Sequence, residues 1–322
     1  MLCSIVIPTV NRPTLERAVQ SVTKQDLEPE QHEIIVVNDS GTPLPDYDWL
    51  RSPQIQVINT NHCERSLACN VGAAIALGKY IKILHDDDYL LPGSLKALLD
   101  LAQSSGDVWV YGALNRVDDH DKLISVNRPE VKGNLFAHTV AGDSIHVGAS
   151  LLDREVFIGA GCFDPCIRTS EDRDLQRRIA FRYDISCTDY IIANIRVGET
   201  AKSSTDWSSK TFENRQIREN ALNTSGALFR ILDSVKGDMN LRGRCCRAYV
   251  FSALLNFRSG RIFIAGSRLC NLVPLVGLHL FRREFWEGFL TRSHWHKYEK
   301  GKEESHYQES EPDGNINAQS RS

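Results

Sequence analysis

Three consecutive carboxylates, Asp86, Asp87 and Asp88, end a short apolar run that starts near Tyr80, and a turn and a helical pattern over about 93–101 follow them. Acids this close to a buried strand repel one another and lose hydration, so a positive partner is expected. In an open α/β sheet the carboxyl ends of the strands face the ligand crevice. A hard divalent cation, Mg2+ or Mn2+, bridging the acids to a phosphate-bearing substrate would meet that need, because both ions prefer carboxylate, phosphate and water oxygens. Taken alone, the cluster reads equally well as a solvated acidic turn. A second group, Glu171 and Asp172, opens a helical pattern with Leu175 and Ile179 on one face. An acid there can act as a general base, or it can favour the helix dipole with Thr169 as a cap.

The elements that must carry these acids alternate. Ser4-Ile5-Val6-Ile7-Pro8 is an apolar run stopped by proline, as in a buried parallel strand. Thr9, Asn11 and Arg12 form the loop, and helical spacing follows from Thr14, with Asn11 or Thr14 as the N-cap. Further strands are expected at 34–37, 55–58 and 79–84, with a helix over 65–77. Four strand–helix repeats predict a doubly wound parallel sheet. Thr9, Asp39 and the three aspartates then fall on one edge, although Asp39-Ser40-Gly41 alone also makes a turn. Beyond them come strands at 107–112, 123–126, 146–152 and 190–197, and a small, polar, mobile loop over 198–209.

Ser4 to Arg12, Glu33 to Gly41, Ala68 to Gly72 and Ile81 to Pro92, in this order and spacing, resemble the successive signatures of family 2 glycosyltransferases. The resemblance covers about residues 3–200. It implies a GT-A fold and a metal-dependent, inverting transfer from a nucleotide-sugar donor, UDP-linked by preference, to a saccharide or lipid-linked acceptor. It implies Asp172 as catalytic base with Glu171 beside it, Asp87 and Asp88 at the metal, and Pro8, Thr9, Asn11, Arg12, Asp39 and Asp86 on the nucleotide. The chain departs from the family pattern at His85, where an acid is commoner and a structural role is expected here. It departs again at Cys63 and Cys69, and in lacking a late histidine near Arg196. Arg178, on the same helix as Glu171 and Asp172, is expected either to pair with them or to stand solvated.

The chain has 322 residues, a net charge of -3 and nine scattered cysteines. The charge argues against a general nucleic-acid binder, and the cysteines against a disulfide framework. With no basic, apolar leader ahead of the first strand, a cytoplasmic protein is expected. After a catalytic domain over 1–210 (nucleotide half about 1–112, acceptor half about 113–210), a helical pattern with interspersed arginines runs over 211–296. It is expected to lie in a membrane interface, to pack on the catalytic part or to form a dimer. A polar tail over 297–322 is expected to be disordered. A non-catalytic nucleotide-sugar-binding scaffold and a nucleotidyltransferase are the rival functions. The second lacks a glycine-rich triphosphate loop after the first strand.

Overall fold

The computed structural model describes residues 1–62, 64–197, 207–290 and 296–300. Its first half follows the predicted alternation except after β2, where a 3-10 turn over Asp48–Arg51 stands in place of a helix. β1 (Cys3–Thr9), α1 (Leu15–Thr23), β2 (His32–Asn38), β3 (Ile55–Asn59), α2 (Arg65–Ile75) and β4 (Tyr80–Ile83) form a parallel sheet in the order β3-β2-β1-β4. The chain moves outward from β1 to β3 and then returns to the other side of β1, so the switch point lies between β1 and β4. Pro8 matters there. β1 stays in register with β2 as far as Thr9↔Asn38, but its ladder with β4 ends at Val6↔Ile83. Alternation turns the backbone of Pro8 toward β4, and a residue with no N–H cannot continue that ladder. The strands therefore part at the crevice.

β5 (Tyr89–Leu90), α3 (Ser94–Ser105), β6 (Trp109–Val117), β7 (Leu123–Pro129), α4 (Phe136–Ala141), β8 (Ser150–Asp153), α5 (Arg154–Gly159), α6 (Glu171–Ala180) and β9 (Ser186–Arg196) complete the sheet and its flanking helices. β8 joins β4 to β6 by antiparallel pairs, β9 runs parallel to β6, and β5 pairs antiparallel with β9. The strand expected over 146–152 begins only at Ser150, because residues 147–149 make one 3-10 turn. α1 has no side-chain cap: Asn11 sits in the left-handed region at φ 63°, and Thr14 makes no capping bond.

One face of the sheet is covered by α1 and α3 through Leu15, Val19, Val22, Leu95 and Leu98. The other carries α2, α4 and α6, and its buried cluster runs on without a break into the helical extension. That extension is α7 (Trp207–Asn223), α8 (Ala227–Ser234), α9 (Met239–Arg258), α10 (Ile262–Val276) and α11 (Arg283–Leu290). Leu241, Cys245 and Tyr249 of α9 share the core with Ile35, Trp109 and Leu175. α9 and α11 touch backbone to backbone, since a Cβ at Gly243 would meet the Phe285 carbonyl and one at Gly288 the Asn240 carbonyl. The tail expected to be disordered from Lys297 instead starts with β10 (His296–Lys300), whose backbone pairs with Ser125–Pro129 of β7 and so gains ladder hydrogen bonds. Residues 291–295 and 301–322, Cys63, and 198–206 of the loop expected over 198–209 lie outside the described residues, while α7 already begins at Trp207.

Candidate active site

The crevice opened at Pro8 is lined first by the loop after β1. Thr9 Oγ1 donates to Asp86 Oδ2 at 2.7 Å and accepts from Asn11 N at 2.9 Å. Arg12 Nη1 lies 2.5 Å from Asp87 Oδ2 and 3.5 Å from Asp86 Oδ1. Burial pushes the Asp86 pKa up, against the Thr9 hydrogen bond and the Arg12 charge. Asp39, at the end of β2, is buried and accepts from Thr60 Oγ1 at 2.6 Å, His62 N at 2.8 Å and Glu64 N at 2.6 Å. It thereby shapes the approach to α2, which Glu64 caps by accepting from Ser66 N and Leu67 N.

The loop after β4 gathers a mixed donor set. Ligand atoms of His85, Asp87 and Asp88 all lie within 4.8 Å of one another. His85 Nδ1 is 3.6 Å from Asp88 Oδ2, and that buried oxygen has no hydrogen-bond partner among the described residues. An orphaned carboxylate oxygen beside an imidazole and a second carboxylate fits a divalent cation. Burial opposes protonation of His85, yet the close approach and charge of Asp88 and the charge of Asp87 hold its pKa above the ordinary value, despite nearby Arg65. Asp88 Oδ1 accepts from Arg196 N at 2.9 Å. The Arg196 side chain donates to the Asp87 carbonyl at 3.3 Å, to the Asp119 carbonyl at 2.7 Å and to Asp121 Oδ1 at 3.0 Å. It ties the acidic loop to the β6–β7 turn.

The opposite wall is the start of α6. Its direction is set by buried partners: Gln176 exchanges hydrogen bonds with the backbone of Ile145, and Arg177 donates twice to the Thr139 carbonyl. Glu171 is buried against Arg65, the first residue of α2. Burial raises the Glu171 pKa, with Arg65 opposing and Asp172 adding to the rise. Asp172 is half-buried, and its Oδ1 accepts from Arg173 N at 2.7 Å. Thr169 does not cap this helix. Its N–H and hydroxyl both go to Glu213 of α7, and Asn214 of α7 accepts from Arg173. Arg178 does not serve Glu171 or Asp172 either; it pairs with Asp174 and donates to the carbonyls of Ala160 and Cys162.

His146 faces the loop after β4. Its ring centroid is 6.3 Å from that of His85, and Gly148 N donates to its Nδ1. Burial drives its pKa down to about 4, while the charges of Asp88 and Asp172 both pull the other way. The loop after β4 and the start of α6 thus both bear on one imidazole through their charge.

The sequence profile described as "Glycosyl transferase family 2" matches residues 4–161. Among similar proteins, the uncharacterized glycosyltransferase YwdF of Bacillus subtilis is 27% identical over 234 residues, covering 69% of this chain and 85% of YwdF. EpsJ of the same organism, also an uncharacterized glycosyltransferase, is 30% identical over 187 residues, covering 53% of this chain and 54% of EpsJ. These matches place residues 4–161 in glycosyl transferase family 2. The chain's GT-A fold is also seen in the crystal structure of S. aureus TarS 1–349 in complex with UDP-GlcNAc, which superposes with a TM-score of 0.56 at 16% identity. That likeness covers 85% of this chain and 91% of the TarS chain.

The structure brings Thr9, Arg12, Asp86 and Asp87 into one linked polar group, with Asp88 beside Asp87 and His85. His85, expected to be structural, stands instead among the potential metal donors. Sequence inspection passes over His146, Arg65 and the Arg196 side chain. Only the last had a signal, its place where a late histidine was expected.

Proposed function

We propose that this glycosyltransferase moves a sugar from a nucleoside-diphosphate donor, UDP-linked by preference, to an acceptor hydroxyl with inversion. The acceptor is a growing polysaccharide or a glycolipid. The observation that supports this most directly is the gathering of His85, Asp87 and Asp88 at the carboxyl end of β4, with the Arg65–Glu171 pair tying the start of α6 to α2. The UDP-GlcNAc bound by TarS favours uridine. Asp39 would accept the N3–H of the uracil, held in orientation by its three donors, with Pro8, Thr9 and Asn11 against the base and ribose. Asp87 and Asp88, joined by His85, would hold the cation. An imidazole nitrogen in the set favours Mn2+ over Mg2+. Bound there, the ion would neutralise charge on the departing diphosphate.

The chain's own groups do the rest. Glu171 is committed to Arg65, so its negative charge is spent on holding α6 to α2. Asp172, half-exposed beside it, is placed to take the proton from the acceptor oxygen as that oxygen attacks the face opposite the diphosphate. A single base suffices for such an in-line displacement, which inverts the anomeric carbon.

The test is UDP release from a panel of UDP-sugars and other nucleotide sugars, with Mn2+ and with chelator. Turnover in Mn2+ that chelator abolishes supports the proposal. Turnover undiminished by chelator removes the cation role of Asp87 and Asp88. Nucleotide binding without turnover on any donor would favour a scaffold.

A further inference from the structure

Among the described residues, an apolar face on the helical extension has no partner. On α10, Ile262, Leu269 and Val273 follow the spacing with which a helix normally faces a core, yet all three are exposed. Phe263 beside them is 96% exposed and Phe281, past the end of the helix, 87%. Phe251, Leu254 and Phe257 extend the exposed surface onto α9. Side chains of this size seldom stand together in water without a function.

Charge identifies the occupant. Residues 239–283 contain no aspartate or glutamate. Arg258 and Arg261 stand exposed at the α9–α10 turn, and Arg282 and Arg283 at the far end of α10. A second copy of the chain would bring arginines against arginines, with no acid in the face to pair them. An anionic lipid surface answers both features, since it accepts apolar side chains below its headgroups and attracts the arginines at their level. Ile262–Phe281 is long and apolar enough to cross a membrane, but its own contacts keep it on the protein. Arg268 is buried mid-helix and bonded to Ser252 Oγ, the Leu222 carbonyl and Asn223 Oδ1. Threading α10 through a bilayer would tear out that guanidinium.

We propose that the exposed face of α9, α10 and the turn after it docks the enzyme on an anionic lipid surface, with α10 lying in the plane of the interface rather than crossing it. The face is separate from the cleft, so the proposal stands independently of the chemistry there.

The experiment is co-sedimentation of the full chain with vesicles of phosphatidylcholine alone or mixed equally with phosphatidylglycerol. The expected result is binding to the mixed vesicles at least about tenfold stronger than to phosphatidylcholine, weakening with salt and reversed by high salt. The triple variant Phe263→Ser, Leu269→Ser, Val273→Ser and the triple variant Arg258→Glu, Arg261→Glu, Arg282→Glu alter only exposed side chains. Each is expected to keep the far-ultraviolet spectrum and lose binding about tenfold or more. No binding to anionic vesicles, binding unchanged in both variants, or binding that resists salt and alkaline carbonate overturns the proposal. So does a dimer in solution that the serine variant dissolves while vesicle binding persists.

Discussion

Arg12 Nη1 lies 2.5 Å from Asp87 Oδ2, on the same carboxylate that joins His85 and Asp88 in the potential metal group. A guanidinium and a divalent cation therefore compete for one anion. Arg12→Ala is expected to tighten Mn2+ binding several-fold in the absence of nucleotide, read by calorimetry or by the resonance signal of free Mn2+. Weaker Mn2+ binding would mean that Arg12 orders the acids rather than occupying them.

Asp172→Asn preserves shape and removes the base. Turnover is expected to fall by about 10²–10⁴-fold while UDP affinity changes little. Loss of UDP affinity in proportion would move Asp172 from the chemistry to the donor grip.

Lys82 is fully buried in β4, with Nζ donating to the Gly148 carbonyl at 2.5 Å and the Ser150 carbonyl at 3.2 Å. Burial lowers its pKa from 10.5 to about 7, against the charges of Cys3 and Asp88. Between those values the unfolded chain binds more protons than the folded one, so this lysine makes stability rise with pH from about 7 to 10.5. Urea midpoints measured across that range should rise, and Lys82→Met should flatten the slope. A slope equal in both proteins would assign the dependence elsewhere.

Gly243→Ala and Gly288→Ala each place a methyl on a carbonyl of the facing helix. Each should cost about 1–3 kcal/mol, the usual penalty of overpacking, seen as a lower Tm. Gly266→Ala, on the open side of α10 where a Cβ meets nothing, should leave the Tm unchanged or raise it slightly.

The strands were legible because burial on both faces writes itself as unbroken apolar runs, as in Ile34–Val37 and Ser4–Ile7. The loop acids were legible because they follow those runs directly. What the sequence hid is what only folding brings together. Thr169 looks like a cap until Glu213 claims its N–H and hydroxyl from 44 residues away. Arg65 gives no local sign that it will meet Glu171, 106 residues on. His146 caps a single 3-10 turn and meets His85 of the loop after β4 only once the chain has folded, so neither periodicity nor motif marks it. The exposed stripe of α10 misleads in the opposite sense, since its spacing is that of a core helix.

The Glu213 bonds to Thr169 reach past the sheet's own boundary. They make α7 the bracket that steadies the start of α6, whereas the donor loops hang from β1, β2 and β4. Glu213→Ala would leave the core shared by the sheet and α9 intact and loosen only the start of α6, so the variant should still bind sugar nucleotides while transferring almost nothing.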